Sequence, residues 1–170
     1  RPVDLFEELG GRLRQASLVS SSEAFFADKR QTAERQARQR SVSKECVLKE
    51  IYILLAKVFD WTEEEMHFAE REELACERDA LRSVPETQQR VEKARIESGA
   101  GVFFVSDMYL PEEFIRERLV EHDFFEQGDK LYVSGQEGAS KAKDGELFSR
   151  IVEQEGLPPE SVIHTGDDPK

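Results

Sequence analysis

The stretch that most constrains this chain is Gly101 to Pro111, GVFFVSDMYLP. Val102 to Val105 make a short unbroken run of β-branched and aromatic residues, the composition of a strand covered on both faces. Gly101 precedes the run, Ser106 and Asp107 end it, and Pro111 stands where a helix can begin. The pattern predicts a buried parallel strand feeding a polar loop and then a helix. In open parallel α/β sheets ligands bind beyond the carboxyl ends of the strands, so Ser106 and Asp107 fall where a site is expected.

The sequence on either side of this stretch divides in character. Downstream, the pattern predicts helix Pro111 to His122, strand Lys130 to Val133, helix Lys143 to Glu155 and strand Ser161 to Thr165, with helix Glu86 to Ser98 leading in. Strands alternating with helices at this spacing imply parallel crossovers and a doubly wound α/β sheet. Upstream there is no strand candidate. Asp4 can cap a helix to Gln15 with Leu5, Phe6, Leu9 and Leu13 on one face, although Gly10 and Gly11 interrupt it. Glu23 to Arg40 reads as a second helix with a narrow apolar stripe. A third runs from Ser43 to Phe59, and a Thr62/Glu65 capping box opens a fourth that continues to Ala80. Phe59 and Trp61 are read as a staple between the last two. Residues 1–84 are therefore expected to form an all-helical, four-helix bundle-like layer, and 85–170 an incomplete α/β core, with the boundary near Arg82 to Pro85.

Charge narrows the partners. The 170 residues carry a net charge of -12, which opposes binding to nucleic acid and to anionic membrane surfaces. The one basic cluster, Lys29 to Arg40, contains no aromatic residue and reads as a solvated helix face. Cys46 and Cys76 lack metal-ligand spacing and read as buried free thiols within helices, as in a reducing compartment. The longest apolar run, Ile51 to Ala56, is far below the roughly 20 residues of a membrane span. A cytoplasmic protein is expected. His67 and His122 read as surface residues, and His164 as a packed core histidine.

Three strand ends bring three kinds of polar group to one edge of the predicted sheet. The first gives Ser106 and Asp107, the second leads through SGQEGASKAKDGELF to Lys141 and Lys143, and the third ends in HTGDDP with Asp167 and Asp168. A hydroxyl donates to phosphoryl oxygens, an ammonium neutralises their charge, and paired carboxylates hold a hard cation such as Mg²⁺. The set fits phosphoryl chemistry.

In this order the motifs resemble those of the haloacid dehalogenase (HAD) superfamily. The match is closer to a subgroup of predicted hydrolases often found near or fused to glycosyltransferases. The resemblance rests on VSDMYLP at 105–111, on Ser134 to Lys141 ahead of GELF at 145–148, and on HTGDDP at 164–169; it covers about residues 86 to 170. Over residues 1–80 it is looser, with RPVDLFEELG similar to the stretch after the first motif and the helices similar to an inserted cap.

The resemblance implies a Rossmann-like parallel sheet with a helical cap, and Mg²⁺-dependent phosphohydrolase activity on a phosphorylated small molecule through an aspartyl-phosphate. It implies that Ser106 and Lys141 act at the phosphoryl group, that Asp107 lines the site or orients its loop, and that Asp167 and Asp168 bind the metal. Lys143 remains open as the lysine in place of Lys141. The attacking aspartate of the first motif has no counterpart in the chain, because Asp4 and Asp28 fall on predicted helices. The chain thus reads as an interior segment, inactive alone, of a longer hydrolase that has a glycosyltransferase as a possible partner. The alternative is a non-catalytic binding domain of degenerate HAD fold.

Overall fold

The computed structural model describes residues 4–98, 101–141 and 145–164. Four helices come first: α1 (Leu5–Gln15), α2 (Glu23–Arg40), α3 (Leu48–Phe59) and α4 (Glu63–Ala80). Each packs on the next, and α4 returns onto α1 to close the layer. Its core is built from Leu9, Leu13, Phe26, Leu48, Ile51 and Leu55, all essentially inaccessible to solvent.

The caps follow the sequence. Asp4 accepts a hydrogen bond from the Phe6 amide at the start of α1, and Ser22 accepts from the Phe25 amide at the start of α2. The Thr62 hydroxyl accepts from the Glu65 amide, while the Glu65 carboxylate accepts from the Thr62 amide. Helix α1 is not interrupted at its glycines. A Cβ on Gly10 would lie 3.1 Å from the Phe26 Cβ and 3.2 Å from the Glu23 Cα, so the missing side chain lets α1 and α2 approach closely. Trp61 stacks on Phe59 with centroids 5.1 Å apart, and its indole N–H donates to the Leu18 carbonyl at 2.9 Å.

The second half begins with α5 (Pro85–Ser98), mostly exposed and tethered through Arg95, which donates to the Phe124 carbonyl at 2.6 Å and pairs with Asp129. Strand β1 (Phe103–Ser106) and strand β2 (Lys130–Val133) follow, separated by α6 (Glu112–Glu121). The strands pair in parallel, Phe103 opposite Lys130 and Ser106 opposite Val133. A single helical turn, α7 (Ser134–Glu137), leaves β2 directly, and α8 (Glu146–Glu155) comes after it. Alternation along the strands sends Phe103, Val105 and Tyr132 into a small core with Ala139, Leu147 and Ile151. Phe104 meets Phe125 behind α6. The chain is thus broadly α/β: a helical layer joined to a two-stranded parallel sheet.

Three further expectations need correction. Ser161 to His164 do not form a strand: Pro159–Ser161 is a 3₁₀ turn and Ile163 is 90% exposed. A strand exists only if a neighbour takes its ladder hydrogen bonds, and among the described residues none lies beside this segment. His164 is exposed, not in the core, with its ring edge against Phe148 at 4.9 Å between centroids. Cys46 precedes α3 rather than lying within it; both cysteines are free and buried.

The two layers share one interior. Tyr109 and Leu110, from the loop after β1, and Phe114 of α6 are buried in the same cluster as the helical core. Among the described residues no helix is long and apolar enough to cross a membrane.

Candidate functional site: the carboxyl edge of the parallel pair

Parallel pairing places the carboxyl ends of β1 and β2 on the same edge. Ser106 is the last residue of β1, half-buried, and Asp107 follows it into solvent. Opposite Ser106 stands Val133, after which Ser134 opens α7, fully buried. Gly138 closes that turn in the left-handed conformation, φ 60°, which glycine adopts without strain. Lys141 comes three residues later and is half-buried. Ser106, Asp107 and Lys141 therefore all follow the carboxyl ends of paired parallel strands.

The loop after β1 is fixed along its length. The Met108 carbonyl accepts from the Gly135 amide at 3.2 Å, and the Tyr109 carbonyl accepts from the Leu48 amide at 2.9 Å. The Leu110 carbonyl accepts from the Gln136 side chain at 3.2 Å, and the Pro111 carbonyl starts α6 by accepting from the Ile115 amide. Gly135 makes the junction possible. A Cβ there would lie 2.5 Å from the Cys46 carbonyl oxygen and 2.9 Å from that of Met108. Three backbone segments meet at a distance that only glycine permits.

Tyr109 carries the loop into the helical layer. The Arg30 guanidinium lies over its ring at 4.7 Å and over the Phe6 ring at 4.6 Å, and the Tyr109 hydroxyl donates to Glu77 at 3.4 Å. Arg30 is fully buried and forks onto Glu73 with bonds of 2.7 and 2.6 Å; Tyr52 donates to the same carboxylate at 2.7 Å. Burial alone would lower the Arg30 pKa, but the facing Glu73 carboxylate reverses the shift and keeps the guanidinium charged. The Tyr52 and Tyr109 hydroxyls are pushed up, by burial first and by the Glu73 charge second. Arg30 corrects the reading of Lys29 to Arg40 as a wholly solvated face, because Glu73 supplies the counter-charge that lets one guanidinium enter the core.

Sequence reasoning used Ser134 only as the start of a motif and passed over Glu45. The Ser134 hydroxyl donates to Glu45 at 3.0 Å, and the same carboxylate accepts from Arg38 at 3.0 Å. The available signal was the spacing of Arg30, Glu34 and Arg38 along one helix face. Nothing local marked Glu45.

Asp167, Asp168 and the alternative lysine, Lys143, lie outside the described residues. Of the two acidic residues considered for nucleophilic attack, Asp4 caps α1 and Asp28 lies within α2. Among the described residues no three His, Cys, Asp or Glu side chains converge to hold a metal ion. The exposed carboxylate at the carboxyl edge is Asp107, whereas Glu45 is engaged by Arg38 and Ser134. These residues do not by themselves make a Mg²⁺ site. No protein-family model matches the chain, and no curated protein matches it.

Proposed function

We infer that the carboxyl edge of the β1–β2 pair holds a phosphoryl group, and that the chain belongs to a Mg²⁺-dependent phosphohydrolase of the HAD type acting on a phosphorylated small molecule. The observation that carries this reading is the parallel register that ends β1 at Ser106 opposite Val133, so that Ser106 and the segment leading to Lys141 leave the sheet on one edge. In this reading the Ser106 hydroxyl donates to a phosphoryl oxygen and the Lys141 ammonium neutralises its charge, while Asp107 shapes the mouth. Neither Asp4, which caps α1, nor Asp28, within α2, is placed to attack, so in this reading the attacking aspartate would have to come from outside the described residues. Asp167 and Asp168, which lie outside the described residues, are the residues that would hold Mg²⁺, and the ion would screen the phosphoryl charge.

The test is turnover of p-nitrophenyl phosphate with Mg²⁺ by the full-length gene product. Removing one preorganised electrostatic contact costs about 10²- to 10³-fold in kcat, so Lys141→Ala is expected to lose that much. Activity unchanged in both Lys141→Ala and Ser106→Ala overturns the assignment. Saturable phosphate binding without turnover selects the non-catalytic binding domain instead.

A further inference from the structure

A run of charged and hydroxyl side chains crosses from the interior of the helical layer to the carboxyl edge. Tyr52 donates to Glu73, which also accepts the two bonds from Arg30. Arg30 reaches Glu34 at 3.2 Å, one helical turn along α2, and Arg38 donates to the other oxygen of Glu34 at 3.2 Å. Arg38 then donates to Glu45, and Glu45 accepts from Ser134. Cations and carboxylates alternate between the two terminal hydroxyls, so each charged side chain of the run is held from two sides. Both ends are fully buried, at Tyr52 and at Ser134, and only the middle, Glu34 and Arg38, reaches solvent.

The Ser134 end is the first residue after β2. Ser134 starts the turn whose Gly135 and Gln136 hold the Met108 and Leu110 carbonyls. Whatever fixes Ser134 therefore fixes both the loop after Ser106 and the origin of the segment that leads to Lys141. Glu45 lies on the linker between α2 and α3, and among the described residues its carboxylate bonds to Arg38 and Ser134.

We propose that Arg38 and Glu45 are positioning residues, which transmit the packing of the helical layer to the turn after β2 and so set the segment from Ser134 to Lys141 against the end of β1. The proposal rests on the functional reading only in giving that segment a ligand to hold; the mechanical coupling stands on the contacts alone. Arg38 is the residue to test. It is partly exposed, so Arg38→Met keeps the aliphatic stem over the surface and removes the guanidinium that links Glu34 to Glu45 and reaches the Lys44 carbonyl at 3.5 Å.

The experiment measures amide hydrogen exchange of the whole chain at neutral pH, for wild type, Arg38→Met and Arg35→Met. Arg35 sits on the same helix and donates to the Thr32 hydroxyl at 2.7 Å. Arg38→Met is expected to speed exchange at Gly135, Gly138 and Ala139, whose amides bond within the junction, at least ten-fold while Leu9 and Leu13 in α1 stay within two-fold of wild type; Arg35→Met is expected to change neither set. Arg38→Lys should restore part of the protection. Inorganic phosphate affinity, read on the same samples, is expected to fall several-fold in Arg38→Met. Unchanged exchange at the turn, or acceleration spread equally over α1, overturns the proposal. Localised acceleration in Arg38→Met, with a wild-type chain that binds no phosphate, sustains the coupling and counts against the phosphoryl-site reading alone.

Discussion

Glu73→Gln is the sharpest perturbation of the shared interior. The substitution keeps the shape of the side chain and removes its charge, leaving the Arg30 guanidinium fully buried against Phe6 and Tyr109 with Glu34 as its remaining carboxylate, at 3.2 Å. Breaking a buried pair from one side costs about 3–5 kcal/mol. Glu34 retains part of the compensation, which places the expected loss near 3 kcal/mol, against a typical domain stability of roughly 5–15 kcal/mol. With a urea slope of about 2 kcal/mol/M, the unfolding midpoint should fall by about 1.5 M.

Trp61, the one tryptophan, reports the transition because it stacks on Phe59 inside the folded layer. The triple variant Arg30→Met, Glu73→Leu, Tyr52→Phe removes the whole charge set and should recover most of the loss, since well-packed apolar replacements of buried pairs are near neutral. A midpoint shift below about 0.3 M for Glu73→Gln, or a triple variant less stable than the single one, would refute the reasoning built on the ~3 kcal/mol figure.

Gly135→Ala must move backbone, not a side-chain tip, because both near atoms are carbonyl oxygens; thermal unfolding should show a loss of about 1–3 kcal/mol, and an unshifted Tm would contradict the three-way junction. Burial pushes the Cys46 thiol up from 9.0 to about 11 and the Cys76 thiol up to about 12. Both are neutral when protonated, so the stability they contribute is intact below pH 9 and is lost as the pH rises through 11 and 12; urea midpoints should decline across that window, and less steeply in the Cys46→Ala, Cys76→Ala pair. Thr62→Ala removes the cap of α4 and should cost about 1 kcal/mol by the same urea assay.

Local chemistry was legible in the sequence wherever it acts over a few residues. The Thr62/Glu65 box, the cap at Asp4 and the strand run ending at Ser106 all specify their structures within one turn or one strand. Long-range effects were not. Arg30 looked like its solvated neighbours because its partner Glu73 lies 43 residues away on another helix. Gly10 looked like a helix breaker because propensity registers its lost entropy and not the Phe26 side chain packed against it. Val162 and Ile163 have strand composition, yet composition cannot supply the neighbour whose hydrogen bonds make a strand. The GVFFVSDMYLP stretch proved to hold two assignments: its first half is β1, and its second half, through Tyr109 and Leu110, fastens the sheet to the helical layer.

The most direct test of the phosphoryl-site reading is a titration of the isotope-labelled chain with inorganic phosphate, followed by amide chemical shifts. The account predicts saturable shifts confined to Ser106 through Met108 and Gly138 through Lys141, abolished in Ser106→Ala and in Lys141→Ala. Shifts that never saturate, that spread over the helical layer, or that persist in both variants would contradict it.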